Sequence, residues 1–233
     1  MNKNDARTLP IIASDVVADT AAARNRMVDT QIRPVQVHDP RIIKAMRALP
    51  RERFVPAASR ALAYADCGVK LGAGRVLMEP RIIARMLQVA VPHAGEKALV
   101  VAAGTGYGAA LLAALGLHVT ALEQDPGLAA EGARICAEWA PGVRFEVGPL
   151  TAGWKPGAPY DLIVIDGAVR ALPAALEAQL TPAGRLAAVL WPEDRVGTVI
   201  LAEASTHGLR ARPQFDATTA LIAELAPAPK FTF

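Results

Sequence analysis

From residue 96 onward, apolar positions come in short unbroken runs separated by stretches of helical spacing. KALVVAA (97–103), HVTALEQD (118–125), VRFEVG (143–148), YDLIVIDG (160–167) and RLAAVLW (185–191) have the character of buried strands. Between them, GAALLAALG (108–116), GLAAEGARICAEWA (127–140) and ALPAALEAQLT (171–181) read as helices, the second with Leu128, Ile135 and Trp139 among its large apolar residues. Strands alternating with helices across short connections predict a parallel, doubly wound α/β sheet. Two further strand-like runs, VGTVILAEA (196–204) and LRARPQFDA (209–217), are joined only by STHG. They predict an antiparallel hairpin on the sheet edge.

Ahead of this core the pattern changes. PRIIKAMRAL (40–49) and RIIARMLQVAV (81–91) are the best helices of a mainly helical cap, 26–95. Residues 1–25 are polar at the start and without an apolar period, which predicts a loosely held arm. Residues 96–233 form the core with its hairpin and tail. The prolines of APAPKF (226–231) stop regular structure.

The run 98–117, ALVVAAGTGYGAALLAALGL, has the length of a membrane helix and no charge. Its middle rules that out. Gly104, Gly106 and Gly108 fall together, and each glycine inside a helix costs about 1 kcal/mol relative to alanine. The unit is strand, glycine turn, helix. The first 29 residues also lack the apolar core of a secretory signal, so a cytoplasmic protein is expected.

Composition changes little. The 233 residues, 52% hydrophobic and 20% charged, suit one globular domain. Cys67 and Cys136 show no metal spacing and fit small thiols in a reducing compartment. The four histidines (His38, His93, His118, His207) show no ligand spacing either, and no metal is expected. Residues 1–60 hold 11 Lys/Arg against 6 Asp/Glu, while the remainder is slightly acidic. The charges alternate in sign, as on a solvated helical face, and nucleic acid is not expected as a partner.

Candidate chemistry sits at the glycine turn. In sheets of this class ligands bind beyond the carboxyl ends of the strands, where glycines let backbone approach them. Glu123 ends the second strand, 19 residues after Gly104, and an acid there can accept hydrogen bonds from a ribose diol. GTGYGA also matches the dinucleotide fingerprint and so admits NAD. A complete dinucleotide fold repeats its mononucleotide half, and the second half is missing here. S-adenosylmethionine is the other candidate.

VVAAGTGYGAALLAAL (100–115) resembles the first cofactor motif of the protein-L-isoaspartate O-methyltransferases. ALPRERFVP (48–56), AYAD (63–66), GRVLMEPRIIARMLQ (74–88), APYDLIVIDGAV (158–169) and LEAQLTPAGRL (176–186) are similar to further segments of that family, so the resemblance runs over about 26–191. The ending, FDATTALIAELAPAPKFTF, looks like that of a bacterial subgroup. The resemblance implies a Rossmann-like class I methyltransferase fold and S-adenosylmethionine as cofactor. The acceptor it implies is a protein or peptide carrying isoaspartate. It places cofactor contacts at Ala103, Gly104, Thr105, Gly106 and Tyr107, at Glu123 and Gln124, at Gly148, Pro149 and Leu150, and at Asp166. It places substrate contacts at Leu77, Met78, Glu79 and Pro80.

Four positions depart from the family pattern. Val100 stands where the first strand ends in an acid that meets the cofactor's ammonium group. Ala102 replaces the first motif glycine. Pro149 replaces an acid after the third strand. Met78 stands at the family's serine and has no hydroxyl, so no catalytic residue is assigned; Met78 also reads as core filler and Glu79 as a helix-start acid. The implied reaction is in-line methyl transfer to a carboxylate already ionised at pH 7. It needs no general base and rests on positioning. Two alternatives stay open: a fold that has lost efficient catalysis and serves in binding or regulation, and a methyltransferase for another acceptor such as a small molecule or RNA. If catalysis has been lost through the cofactor motif, Val100→Asp with Ala102→Gly is expected to restore cofactor affinity.

Overall fold

A computed structural model describes residues 13–205 and 208–226, with side chains from Thr20 on. Helix α1 (Ala13–Met27) runs on through a wider turn at Val28–Ile32. The second half of the stretch read as a loose arm, 13–25, is therefore helical. Its alanine-rich sequence favours a helix without an apolar period, and the Arg24 Nε donates to the Arg47 carbonyl at 2.7 Å. Residues 1–12 lie outside the described residues.

Helix α2 (Pro40–Ala48) starts where Asp39 caps the Arg41 N–H and proline takes the first turn. Next comes a small antiparallel hairpin, β1 (Val69–Gly72) with β2 (Arg75–Leu77), inside a region the pattern read as helical. Seven residues of strand are too few to show a period of two. Helix α3 (Pro80–Ala90) follows, with its apolar face buried.

The core then builds β3 (Lys97–Val101), α4 (Tyr107–Ala114), β4 (His118–Glu123), α5 (Pro126–Trp139), β5 (Arg144–Val147) and β6 (Tyr160–Val169). Helix α6 is a single turn, Ala174–Glu177; of the predicted helix 171–181, Leu180 and Thr181 belong to β7 (Leu180–Leu190) and the remainder is loop. Pro173 and the Thr181–Pro182 pair leave room for no more. The hairpin β8 (Thr198–Ser205) and β9 (Gly208–Asp216) closes the edge as the pattern predicts.

The seven strands lie in the order β5-β4-β3-β6-β7-β8-β9, with β3 to β7 parallel and β8 and β9 antiparallel. After β3 the chain builds outward through β4 and β5, then returns to the other side of β3 with β6. The reversal makes the β3/β6 boundary the switch point where a ligand crevice is expected, at the carboxyl ends. Beyond β7 the sheet continues with the antiparallel β8 and β9, not with a second parallel mononucleotide half among the described residues.

Two features shape that edge. The β6–β7 register slips between Val164 and Ala168, so Ile165, Asp166 and Gly167 bulge, which re-aims the Asp166 side chain. The chain after β9 then folds back across the same edge. Ala168 N–H donates to the Ala220 carbonyl and Ile222 N–H to the Ala168 carbonyl, both at 2.9 Å. Ile222 and Leu225 are buried with Val101, Ala102, Leu122 and Leu150. This strap, 217–226, thus runs from the end of β6 towards the turn after β5.

Candidate functional site

Strand β3 ends and the chain turns through Ala102, Ala103, Gly104, Thr105 and Gly106 into α4. Gly104 and Gly106 sit at φ +54° and +90°, and Ala102 at φ +59°. The family's glycine at 102 is understandable in those terms: the left-handed region costs a residue with a Cβ about 1–2 kcal/mol. The turn is closed by Gly106 N–H to the Ala103 carbonyl at 2.8 Å and Ala103 N–H to the Leu122 carbonyl at 3.1 Å.

Gly104 and Glu123 meet as the spacing predicts. Glu123 is fully buried. Its Oε2 accepts from Gly104 N–H at 2.9 Å, and its Oε1 from Gln124 N–H at 2.7 Å and Asp125 N–H at 3.0 Å. It also holds Arg75 bidentately, Nε to Oε2 and Nη2 to Oε1, both at 3.0 Å. A carboxylate offers about four lone-pair sites, so Glu123 is saturated. Arg75 reaches on to Glu224 of the strap, with two bonds of 3.1 Å. Burial works against the Arg75 charge, but Glu224 and Glu123 more than offset it and raise its pKa. Burial also pushes Glu224 up, and its bonds to Arg75 outweigh that, so its carboxyl titrates below its ordinary value.

The same hairpin covers the turn. A Cβ built on Gly104 would lie 2.9 Å from Leu71 Cδ1. Gly148 N–H donates to the Glu123 carbonyl at 3.2 Å, and Leu150 is buried, its N–H 3.4 Å from Gln124 Oε1. Pro149 is exposed and only opens the turn at Leu150–Ala152. Thus Ala103, Gly104, Glu123, Gln124, Gly148 and Leu150 do gather around the end of β4.

Thr105 and Tyr107 turn to the cap instead. Thr105 Oγ1 donates to the Phe54 carbonyl at 2.6 Å. Tyr107 is buried edge-on to Phe54, ring centroids 5.3 Å apart, under the Arg51 guanidinium at 4.9 Å. Helix α4 starts here, and its first side chains pack the cap onto the sheet. Val100 has no exposed surface and packs in the main core. Val100→Asp would bury a carboxylate without a partner, which costs stability before it helps any ligand.

Asp166 stands on the β6 bulge, across β3 from Glu123. It is buried, and no hydrogen bond joins it to another described residue; a Cβ on Gly108 would touch its Oδ2 at 2.7 Å. Burial pushes its pKa up, Arg51 pulls it back, and the field of Glu123 adds to the rise, leaving it at about 7. Arg51, fully buried, donates through Nε to the Ala63 carbonyl at 2.7 Å and through Nη2 to the Met78 carbonyl. Its burial lowers its pKa against the opposing fields of Tyr107, Asp166 and Glu79.

The predicted substrate contacts lie over this cluster. Leu77, Met78 and Pro80 are buried; Met78 fills core space, and it is the Met78 carbonyl that serves a polar role, as the Arg51 acceptor. Glu79 precedes α3 without capping it through its side chain. Its Oε2, the Arg51 Nη1 and the Tyr107 hydroxyl are buried without a hydrogen-bonding partner. Sequence reasoning assigned no role to Arg51, Arg75 or Glu224. Arg75 lies within the quoted GRVLMEP segment and Arg51 within PRERFVP, but charged residues in a cap read as surface until the fold buries them.

In this arrangement the Arg75 guanidinium occupies the Glu123 acceptors that a ribose diol would use, and Leu71 lies over Gly104. Among the described residues, no cluster of His, Cys, Asp or Glu could hold a metal, and no helix is long and apolar enough to cross a membrane.

The family model described as protein-L-isoaspartate(D-aspartate) O-methyltransferase matches residues 22–198. A protein-L-isoaspartate O-methyltransferase of Methylorubrum extorquens is 39% identical over 186 residues, 80% of this chain and 81% of the relative. One of Koribacter versatilis is 40% identical over 176 residues, 75% of this chain and 79% of the relative. Among solved structures, a protein-L-isoaspartate O-methyltransferase superposes with a TM-score of 0.76 at 20% identity, covering 87% of this chain and 67% of that one. A Plasmodium falciparum protein described with the same activity, in complex with S-adenosyl-L-homocysteine, gives 0.74 at 16% identity, covering 86% and 98%. The two structures speak for the class I methyltransferase fold, and the sequence matches settle the kinship: this chain belongs to the protein-L-isoaspartate(D-aspartate) O-methyltransferase family.

Proposed function

We propose that the chain is an S-adenosylmethionine-dependent carboxyl methyltransferase acting on isoaspartyl residues of damaged proteins. The family match over 22–198 carries this reading, because it spans the glycine turn, the acid after β4 and the loop ahead of α3. The cofactor would supply the methyl group. On the chain's side, Ala103, Gly104 and Gly106 offer backbone at the switch point, Glu123 and Gln124 flank the ribose place, Gly148 and Leu150 flank the adenine place, and Asp166 adds an acid at the end of β6. Leu77 to Pro80 border the acceptor. The work assigned to these residues is binding, orientation and exclusion of water, and none of them is asked to move a proton. A reducing, cytoplasmic setting suits the free Cys67 and Cys136.

The test is transfer of radiolabelled methyl from S-adenosylmethionine to an isoaspartyl peptide, with the normal aspartyl peptide as control. Base-labile label on the isoaspartyl peptide alone is expected. Equal labelling of both, or of neither, contradicts the reading.

A further inference from the structure

We infer that Arg75, Glu123 and Glu224 form a latch that holds the β1–β2 hairpin and the strap 217–226 shut over the cofactor cleft, and that cofactor enters when Arg75 leaves Glu123. The second half rests on the methyltransferase reading.

Three observations carry the latch. First, one guanidinium ties three separate elements together. Arg75 on β2 grips Glu123 at the end of β4 and Glu224 on the strap. Second, both covering elements are short. The hairpin has strands of only four and three residues, seated by Val69, Leu71 and Leu77 in the main core. Its tip, Gly72–Ala73–Gly74, is exposed, and a Cβ on either glycine would meet nothing within 4 Å. The strap is fixed by its backbone bonds at Ala168 and by Ile222 and Leu225. Third, what the latch covers is the predicted ligand place. Leu71 lies over Gly104, and Ile222 lies 2.8 Å from where a Cβ on Gly167 would be.

The two arms differ in strength. Glu123 and Arg75 are almost wholly buried, while the Glu224 side chain is 30% exposed. The outer arm is therefore the one that water and salt can loosen. Once Arg75 departs, Glu123 keeps its bonds to the N–H groups of Gly104, Gln124 and Asp125 and regains an acceptor site for a sugar hydroxyl. The acid thus has two successive partners: its own arginine when closed, a sugar when open.

Glu224→Gln removes the outer charge and keeps the shape; Arg75→Lys keeps the charge and cannot bridge two carboxylates bidentately. Amide hydrogen exchange on the full chain is read first, without ligand. In both variants residues 69–77 and 217–226 are expected to exchange about tenfold faster, with β3 and β7 unchanged, as the open population rises. Unchanged exchange in both variants overturns the latch. Calorimetric titration with S-adenosylmethionine follows. Glu224→Gln is expected to bind about tenfold tighter than the unaltered chain, since affinity scales with the open fraction. Equal affinity overturns the gating role. Faster exchange with no binding by any variant leaves the latch standing and sinks the methyltransferase reading.

Discussion

Glu123 and Asp166 are both buried acids at the carboxyl edge of one sheet, on either side of β3, and their surroundings are opposite. Glu123 ends a strand whose next peptides curl back, so its carboxylate collects backbone N–H groups and then an arginine. Asp166 sits on a bulge that aims it at the first turn of α4, with no hydrogen-bond partner among the described residues. The contrast separates two meanings of a buried acid. A saturated one holds structure together. An unpartnered one stores unfavourable energy that a ligand or a proton can release.

The largest effect is expected from removing the charge of the saturated acid. Glu123→Gln leaves Arg75 buried beside half of its former partners, and a loss of about 3–5 kcal/mol is expected from breaking a buried pair. Urea unfolding measures it. A loss below about 1 kcal/mol would mean that the pair holds nothing.

The opposite result is expected at Asp166. Its folded pKa is raised from 3.8 to about 7, so the folded state keeps a proton that the unfolded chain gives up above pH 4. Stability from this group is full below about pH 4, falls as pH rises to 7, and stays low above it. Asp166→Asn removes that loss. It should stabilise the protein at pH 8 by about 2–3 kcal/mol, below a ceiling of about 4 kcal/mol set by the shift, and leave it little changed at pH 4. Urea midpoints at the two pH values check this; a stability difference between variant and parent that is the same at both would contradict it.

The smallest effect concerns the turn between the two acids. Ala102→Gly frees a residue held at φ +59° and should add about 1 kcal/mol of stability. A melting temperature that falls instead would show that the Ala102 methyl, buried among Val101, Leu122 and Ile222, contributes more than the strain costs.

Much of this was legible in the sequence, for physical reasons. Four of the five parallel strands carry short, mainly apolar runs, and Gly104 and Gly106 mark a turn at positive φ. The distance from Gly104 to Glu123 follows from one crossover, so their meeting could be foreseen. The partner of Glu123 could not. Arg75 reaches it from 48 residues upstream and Glu224 joins from 149 residues beyond Arg75, through a hairpin too short to announce itself. Tyr107 belongs to the motif, but its side chain serves the cap, because the first turn of α4 faces Phe54 and Arg51. Motif spacing places backbone reliably and says little about which way a side chain turns.

If the latch opens as inferred, Arg75 and the cofactor compete for one carboxylate. The most direct measurement is the nitrogen-15 NMR signal of the Arg75 Nε–H, followed while S-adenosylmethionine is added. A signal protected from solvent exchange in the free protein is expected, lost in proportion to bound cofactor. A cofactor that binds while the Arg75 signal stays protected would contradict it.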